Sequence, residues 1–583
     1  MDVAHLTHTT DIIPPTEAKT LSSLFQARVR RSASATAYRY FDDATASWRD
    51  TTWTQMAVAV GRWQAAMESL PLRPGDRVAI MAKGCPEWVM FDQAALGLGL
   101  VVVPLFANDR AESVDYILRD SGAKLLLIEN GPHWSILKEV CAALSDQLAV
   151  WSLTEVDDPA VHNVHALLPA DALAPRCEDL DPDTLATIVY TSGTTGRPKG
   201  VMLSHRNILW DAHAGVQVVP AYPDDLFLSF LPLSHTLERT VGYYLPMMCG
   251  SAVAYARSIP QLAEDLATVR PTVIISVPRI YERTYNRIQE KLTSPVARRL
   301  FNAAVRVGWR RFLYHQGRAS WHPELLLWPL LNRLVAGKIL ARLGGRLRVA
   351  ICGGAPLSSR IGKTFIGLGL NLLQGYGLTE ASPVISVNPT ADNEPASVGP
   401  PLPEIEVKAG PRDELLTRSP SVMLGYWNNP KATAEIIDSD GWLHTGDIVR
   451  IADSGHIFVT GRIKDIIVLA NGEKVAPADM EEAITADPLF EHAMVLGDSR
   501  PFLCALVVVN HQEARATTEE TALLRDLCAQ LQSFPGYAQV RRLAVCDESW
   551  TVENGLLTPT LKVRRRQVAA RYAALVDRLY EGH

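Results

Sequence analysis

One eleven-residue stretch narrows the folds open to this chain. Tyr190-Thr191-Ser192-Gly193-Thr194-Thr195-Gly196-Arg197-Pro198-Lys199-Gly200 follows an apolar run, Leu185 to Val189, that reads as a buried strand. It precedes Val201 to Trp210, which reads as strand and then helix. A loop of small and hydroxyl residues after a strand suits polyphosphate, because glycines let the backbone approach the anion with its N–H groups pointing inward. The hydroxyls of Thr191, Ser192, Thr194 and Thr195 and the ammonium of Lys199 add donors. A Walker A loop would need Gly-Lys five residues after Gly193, and Pro198 stands where that glycine would be. Gly, Ser and Thr alone would make an ordinary surface loop. Pro198-Lys199-Gly200 at this spacing favours a nucleotide.

With those three residues the stretch resembles the signature loop T-S/T-G-T-T-G-x-P-K-G of the adenylate-forming (AMP-binding) enzymes, which include acyl-CoA synthetases, luciferases and peptide-synthetase adenylation domains. It matches without a departure. The resemblance implies that Thr191, Ser192, Gly193, Thr194, Thr195, Gly196 and Lys199 bind ATP, around its β- and γ-phosphates.

At 583 residues the chain exceeds one ordinary domain. The formal charge of −6 argues against a general nucleic-acid binder. Eight scattered cysteines, with no C-x-x-C pair, fit reduced thiols better than disulfides or zinc. Met1 to Thr20 lacks the basic and apolar regions of a secretory signal, and no stretch approaches the apolar length of a membrane span. The expectation is a cytoplasmic protein, with contact to the inner membrane face as an option.

That option rests on Lys291 to Arg318, where Lys291, Arg298, Arg299, Arg306, Arg310, Arg311 and Arg318 alternate with apolar residues and no acid. Such a pattern reads either as an amphipathic helix on an anionic bilayer or as a helix covering the domain with a solvated basic face.

The pattern of elements gives an α/β fold: a large N-terminal domain with parallel or mixed sheets flanked by helices, and a small α+β C-terminal domain. Arg77–Met81, Glu87–Leu98 and Val101–Leu105 read as strand, helix, strand, and Ser113–Ile128 repeats the unit. Residues 1–20 read as a loose arm, 21–461 as the large domain and 462–583 as the small one. Strands ending before the phosphate loop, before His235 and before Gly353-Gly354-Ala355 would bring all three to one crevice.

Three further stations extend the resemblance. Gln374-Gly375-Tyr376-Gly377-Leu378-Thr379-Glu380 offers a flat ring, a hydroxyl and a hard-oxygen ligand. It resembles the family's Y-G-x-T-E motif, which implies Tyr376 against adenine, Thr379 at the α-phosphate and Glu380 on Mg²⁺. Thr445-Gly446-Asp447 resembles the family's T-G-D, and Gly461-Arg462-Ile463-Lys464-Asp465 its hinge. The resemblance then puts Asp447 and Arg462 on the ribose and makes Lys464 the hinge. Lys562, in Leu557-Thr558-Pro559-Thr560-Leu561-Lys562, resembles the family's catalytic lysine. Without the resemblance it would read as a solvated cation beside Arg564, Arg565 and Arg566.

The implied activity is ATP- and Mg²⁺-dependent activation of a carboxylic acid as an acyl adenylate, then transfer to coenzyme A. His235 and Gly353 would border the acyl pocket, and Gly472 and Lys474 would face the incoming thiol. No Asp follows Phe230-Leu231 to pair an amine, and the whole resembles bacterial long-chain fatty-acid–CoA ligases. The expected partners are therefore a medium- to long-chain fatty acid, ATP and CoA. Glu238-Arg239 stands where some relatives carry an aromatic gate. Acyl-AMP ligases insert a segment after the domain boundary, and Arg462 to Lys474 shows none. Transfer to an acyl-carrier protein, and a catalytically silent lipid-binding scaffold, stay open as alternatives.

Overall fold

The computed structural model describes residues 9–171, 173–191, 197–471, 473–510, 519–532, 534–558 and 562–581. Ser192, Gly193, Thr194, Thr195, Gly196 and Gly472, all expected at the site, lie outside the described residues.

Helix starts follow local chemistry. Thr20, Thr52 and Ser204 each accept a backbone N–H at the third helical residue, and Ser23, Gln55 and Asn207 bond back to the cap, so both orphan donors are satisfied. Pro86 opens the Pro86–Gly97 helix, where its missing N–H costs nothing.

Two eight-stranded sheets form the large body. In the first, the strands Leu372–Gly377, Val349–Cys352, Val273–Ser276, Leu226–Ser229, Ala252–Tyr255 and Thr36–Asp42 run parallel, in that order. Antiparallel edges, Val384–Val387 and Ser47–Thr52, close it. In the second, Leu185–Thr191 joins the parallel strands through Val101–Pro104 and pairs antiparallel with Lys199–Ser204. The two strands that flank the phosphate loop pair with Thr191 opposite Lys199. The main core lies between the sheets and includes Trp53, Trp63, Trp88, Phe91 and Tyr243.

A four-stranded antiparallel sheet follows: Glu406–Ala409, Glu414–Arg418, Leu443–Ile451 and Ile457–Arg462. The chain turns at 463–465 into the last unit. There Leu503–Val509 lies between Phe490–Leu496 and Val540–Val545, with helices such as Pro477–Thr485 and Glu520–Gln530.

Two expectations change. The described part of the supposed loose arm is anchored: Ile13 and Ala18 are buried, and Asp11 pairs with Arg28 and Arg31. Buried apolar side chains and a buried guanidinium hold it, which a count of hydrophobic runs does not reveal. Two helices, Arg565–Arg571 and Ala573–Tyr580, broken at Tyr572, complete the described part of the small unit.

The helix after His235 begins as a π-helix, Glu238–Tyr244, before the α-helical Leu245–Cys249. The wide turn aims Arg239, Tyr243 and Tyr244 at one buried carboxylate, Asp92. Arg239 thus points into the core rather than into a gate. Glu238 is buried as well, and burial pushes its carboxyl up to about 8.

Pro295–His315 is a helix, but its apolar side, with Phe301, Ala304 and Val307, is buried in the domain. Arg310 pairs with Glu324, and Arg318 with Asp392 and Glu394. Exposed large apolar residues lie beside it instead, among them Leu326 at 72% and Leu330 at 57% exposure. No helix among the described residues is long and apolar enough to cross a membrane.

Candidate active site

A cleft of about 2960 Å³ runs between the large body and the small unit, and its walls come from every station singled out in the sequence. Thr191, Arg197 and Lys199 line it from the hairpin, Gln374 to Glu380 from the end of the Leu372–Gly377 strand and the turn after it, and Asp447 and Arg462 from the antiparallel sheet. His235, Gly353, Gly354 and Ala355 line it from the carboxyl ends of parallel strands. Lys464 and Lys562 line it from the small unit's side. Lys474 is exposed on the strand Lys474–Val475 and is not among the lining residues.

Asp447 is the polar centre. It is 2% exposed, and strand register places it directly opposite Arg462. Arg462 donates Nε–H to its Oδ1 at 2.7 Å, and Tyr376 donates its hydroxyl to Oδ2 at 2.5 Å. A carboxylate has about four acceptor sites, so two stay open to a sugar diol. Gly446, one residue before, donates its N–H to Glu414 at 3.0 Å, which fixes the turn that presents Asp447. A Cβ at Gly377 would stand 1.8 Å from the Pro383 carbonyl oxygen, so only glycine allows the strand edge to close behind Tyr376.

Glu380 accepts the Tyr426 hydroxyl at 2.7 Å, and the ammonium of Lys199 lies 4.8 Å from the same ring's centroid. The phosphate hairpin and the proposed metal ligand thus share Tyr426, a residue the sequence reading missed. Thr379 and Thr236 hydroxyls meet at 3.3 Å. Among the described residues no cluster of three or more His, Cys, Asp or Glu could hold a metal. One oriented carboxylate fits Mg²⁺ of the kind carried mainly by nucleotide phosphates.

Lys562 is 115 residues beyond Asp447 in the chain, yet stands within electrostatic reach of Asp447, Arg462 and His235. Its side chain is exposed into the cleft, among neighbouring protein atoms that still displace part of its water. That displacement, with the Arg462 guanidinium added, lowers its ammonium to about 8, against the opposing pull of Asp447. Thr558 holds the loop that presents it: Thr558 donates its N–H to the Lys562 carbonyl at 2.8 Å, and Lys562 donates its own to the Thr558 hydroxyl at 3.0 Å. Burial first, and the Lys562 charge second, lower His235 to about 4, so this imidazole is neutral at ordinary pH.

From His235 and Gly353 an apolar branch leads back under the sheet. Leu237, Val241 and Leu245 form one wall, spaced four residues apart along one helix. Asp211, Gly215 and Val219 form the facing wall at the same spacing, along the His205–Val218 helix and its cap. Phe227, Val273, Val349 and Ile351 from the parallel strands make the floor. The far end lies at Pro220 and Arg348, where Arg348 donates to Asp225 at 2.6 Å. Asp211 to Val219 spans about 12 Å of helix, and Gly353 back to Val349 about 13 Å of strand. The two rulers agree on a length of about 12 to 13 Å. A Cβ on Gly353 would lie 3.3 Å from Leu237 Cδ2, so glycine keeps the mouth open. The paired four-residue spacings were present in the sequence, but nothing there said that the two stripes face each other.

Comparison with known proteins agrees with this geometry. Residues 25–427 match the family described as AMP-binding enzyme, and residues 464–583 the family described as AMP-binding enzyme C-terminal domain. The long-chain-fatty-acid–CoA ligase FadD15 of Mycobacterium bovis is 33% identical over 571 residues, covering 91% of this chain and 92% of that protein. A chloroplastic long-chain-fatty-acid–[acyl-carrier-protein] ligase of Arabidopsis thaliana is 30% identical, covering 91% and 82%. The solved anthranilate–CoA ligase AuaEII, in complex with anthranoyl-AMP, has a TM-score of 0.76 at 19% identity and covers 95% and 98%. At that identity the likeness is one of fold.

Proposed function

The chain belongs to the AMP-binding enzymes, and we propose that it activates a medium- to long-chain fatty acid with ATP and passes the acyl group to the thiol of coenzyme A. It is an AMP-forming acid–thiol ligase that uses ATP, Mg²⁺ and CoA. The observation that carries the substrate class is the apolar channel ending at Gly353 and His235, beside the cluster of Lys562, Asp447 and Arg462.

In the first step a carboxylate oxygen bonds to the α-phosphorus as the bond to pyrophosphate breaks. The fatty acid is already ionised at neutral pH, so the step needs no general base. Tyr376 offers its face to adenine, and Asp447, steadied by Arg462, accepts the ribose hydroxyls. Negative charge grows on the α-phosphate and on the leaving pyrophosphate, so fixed donors there lower the barrier. Thr379 and Lys562 serve the first, and Lys199 with the loop at 191–196 the second. Mg²⁺, held by Glu380 and the phosphates, would neutralise the triphosphate; Tyr426 orients that carboxylate.

In the second step the CoA sulfur bonds to the acyl carbon and AMP leaves. Lys562 occupies the adenylate end of the cleft in this arrangement, while Lys474 lies outside it. A rotation about the turn at Lys464 would withdraw the first and bring Gly472 and Lys474 towards the thiol.

The protein meets an anionic bilayer through the surface beside the Pro295–His315 helix. Leu326, Leu330 and Leu334 recur every four residues there and are exposed, with Arg333 and Lys338 exposed next to them. Apolar anchors flanked by cations suit such a membrane.

A carrier-protein acceptor has one specific support, the named activity of the Arabidopsis relative. Both acceptors present a phosphopantetheine thiol. The test is AMP release from ATP with fatty acids of graded length, with and without CoA. CoA-dependent turnover that peaks at medium or long chains is expected. Adenylate that CoA does not discharge would move the acceptor to a carrier protein, and no AMP with any fatty acid would overturn the reading.

A further inference from the structure

The wall of the acyl channel is apolar except at one place near its mouth. Asp211 is 1% exposed on the His205–Val218 helix, on the same stripe as Gly215 and Val219 but nearer the cleft. Its Oδ2 accepts the Val384 N–H at 3.2 Å, and Val384 belongs to the edge strand paired with the strand that carries Tyr376. Its Oδ1 has no hydrogen-bond partner among the described residues. A buried polar atom without a partner is costly, by as much as a lost hydrogen bond or more. Binding a hydrocarbon chain alone would leave that atom unsatisfied and would also exclude water from it.

We propose that Asp211 is a recognition point inside the channel, and that the preferred acid carries a hydroxyl or keto oxygen on the carboxyl-proximal half of its chain. This rests on the fatty-acid–CoA ligase reading and names its substrate class more closely. Burial pushes the Asp211 carboxyl up, against the weaker pull of the Val384 N–H, which favours its protonated form. With Oδ2 bonded to Val384, Oδ1 carries the O–H and donates it to the substrate oxygen. A substrate hydroxyl can also give its own proton back to the carboxyl group; a keto oxygen only accepts. No such group lies deeper in the channel until Arg348, which is paired to Asp225. A terminal hydroxyl therefore gains nothing from Asp211.

The test compares kcat/KM for hexadecanoate with its 3-, 5-, 8- and 16-hydroxy isomers, within the wild-type protein and within Asp211→Asn and Asp211→Ala. At least one proximal isomer should exceed hexadecanoate about tenfold in the wild type, and the 16-hydroxy isomer should not. Asp211→Asn keeps a donor and the shape, so it should retain most of that ratio. Asp211→Ala should bring it close to one. Hexadecanoate turned over as well as every isomer by the wild type would overturn this inference and leave the ligase reading intact, as would a ratio that survives Asp211→Ala. No turnover of any acid would overturn both. The wild-type series decides the matter even if a variant does not fold.

Discussion

Tyr376 donates its hydroxyl to the Asp447 carboxylate at 2.5 Å, joining a strand of the first sheet to a strand of the antiparallel sheet across 71 residues of chain. The bond ties the proposed adenine face to the proposed ribose acceptor. Tyr376→Phe removes it but leaves Arg462 on Asp447, so the KM for ATP should rise about tenfold or more with little change in kcat, the worth of one hydrogen bond to a charged group. Asp447→Ala removes the acceptor and strands the Arg462 charge, and should lower kcat/KM for ATP about a hundredfold or more. Steady-state kinetics with ATP varied separates the two. Equal losses would place Tyr376 in the reaction rather than beside it.

Lys562→Ala should cut adenylation by about a hundred- to a thousandfold, as loss of a fixed donor at developing charge does elsewhere. Thioester formation from a supplied acyl adenylate should be largely spared. Both half-reactions falling together would remove Lys562 from its role.

The same lysine sets a pH limb. The ammonium is the working form and its pKa is lowered to about 8, so charge is present below that pH and lost above it. Adenylation should decline as pH rises through about 8. Lys562→Arg, charged throughout this range, should flatten the decline even if it is slower. An unchanged limb in that variant would assign the titration to another group.

Lys464 lies in the turn between Arg462 and the small unit, with its side chain exposed. Lys464→Pro fixes φ there and should hinder rotation. ATP–pyrophosphate exchange should stay within about threefold, while single-turnover thioester formation should fall more than about tenfold. Equal effects on both would place the hinge elsewhere.

Gly215 lies midway along the channel wall, and a Cβ there would meet Leu245 Cδ1 at 3.6 Å, an ordinary contact. Gly215→Phe should therefore fold and fill the channel. Activity on hexadecanoate should drop about tenfold or more while octanoate is kept, because the obstruction lies about one helical turn beyond Asp211. A uniform loss at all lengths would mean that the chain takes another route.

The apolar surface at Leu326, Leu330 and Leu334 gives a vesicle assay. Co-sedimentation with phosphatidylglycerol vesicles should exceed that with phosphatidylcholine and fall with salt. Replacing Leu326 and Leu330 by Glu should abolish it without altering turnover of octanoate in solution. Binding unchanged by the double variant would remove this surface.

Much of the chemistry was legible because it is local. Tyr376, Thr379 and Glu380 sit within five residues, and Thr445-Gly446-Asp447 within three, so their resemblance to the family's motifs is readable although each is weak in isolation. The short strands before the phosphate hairpin and before Gly353 were legible for the same reason: a run of buried apolar residues needs no partner to be recognised. The segment 11–20 and the basic helix were misjudged or left open because burial depends on what packs against them. Asp11 reads as a solvent-facing acid until Arg28 is placed beside it.

The sequence by itself determined the order of the stations along the chain and the alternation of strand and helix, and the resemblance its motifs carry determined the reaction type. These are matters of residue type and near spacing. Only the tertiary structure brought Lys562 beside Arg462 and Asp447, because that encounter depends on how the small unit docks. Only it set Leu237, Val241 and Leu245 opposite Asp211, Gly215 and Val219. Each stripe is an ordinary apolar helix face in isolation, and a channel exists only where two faces and a sheet leave room between them.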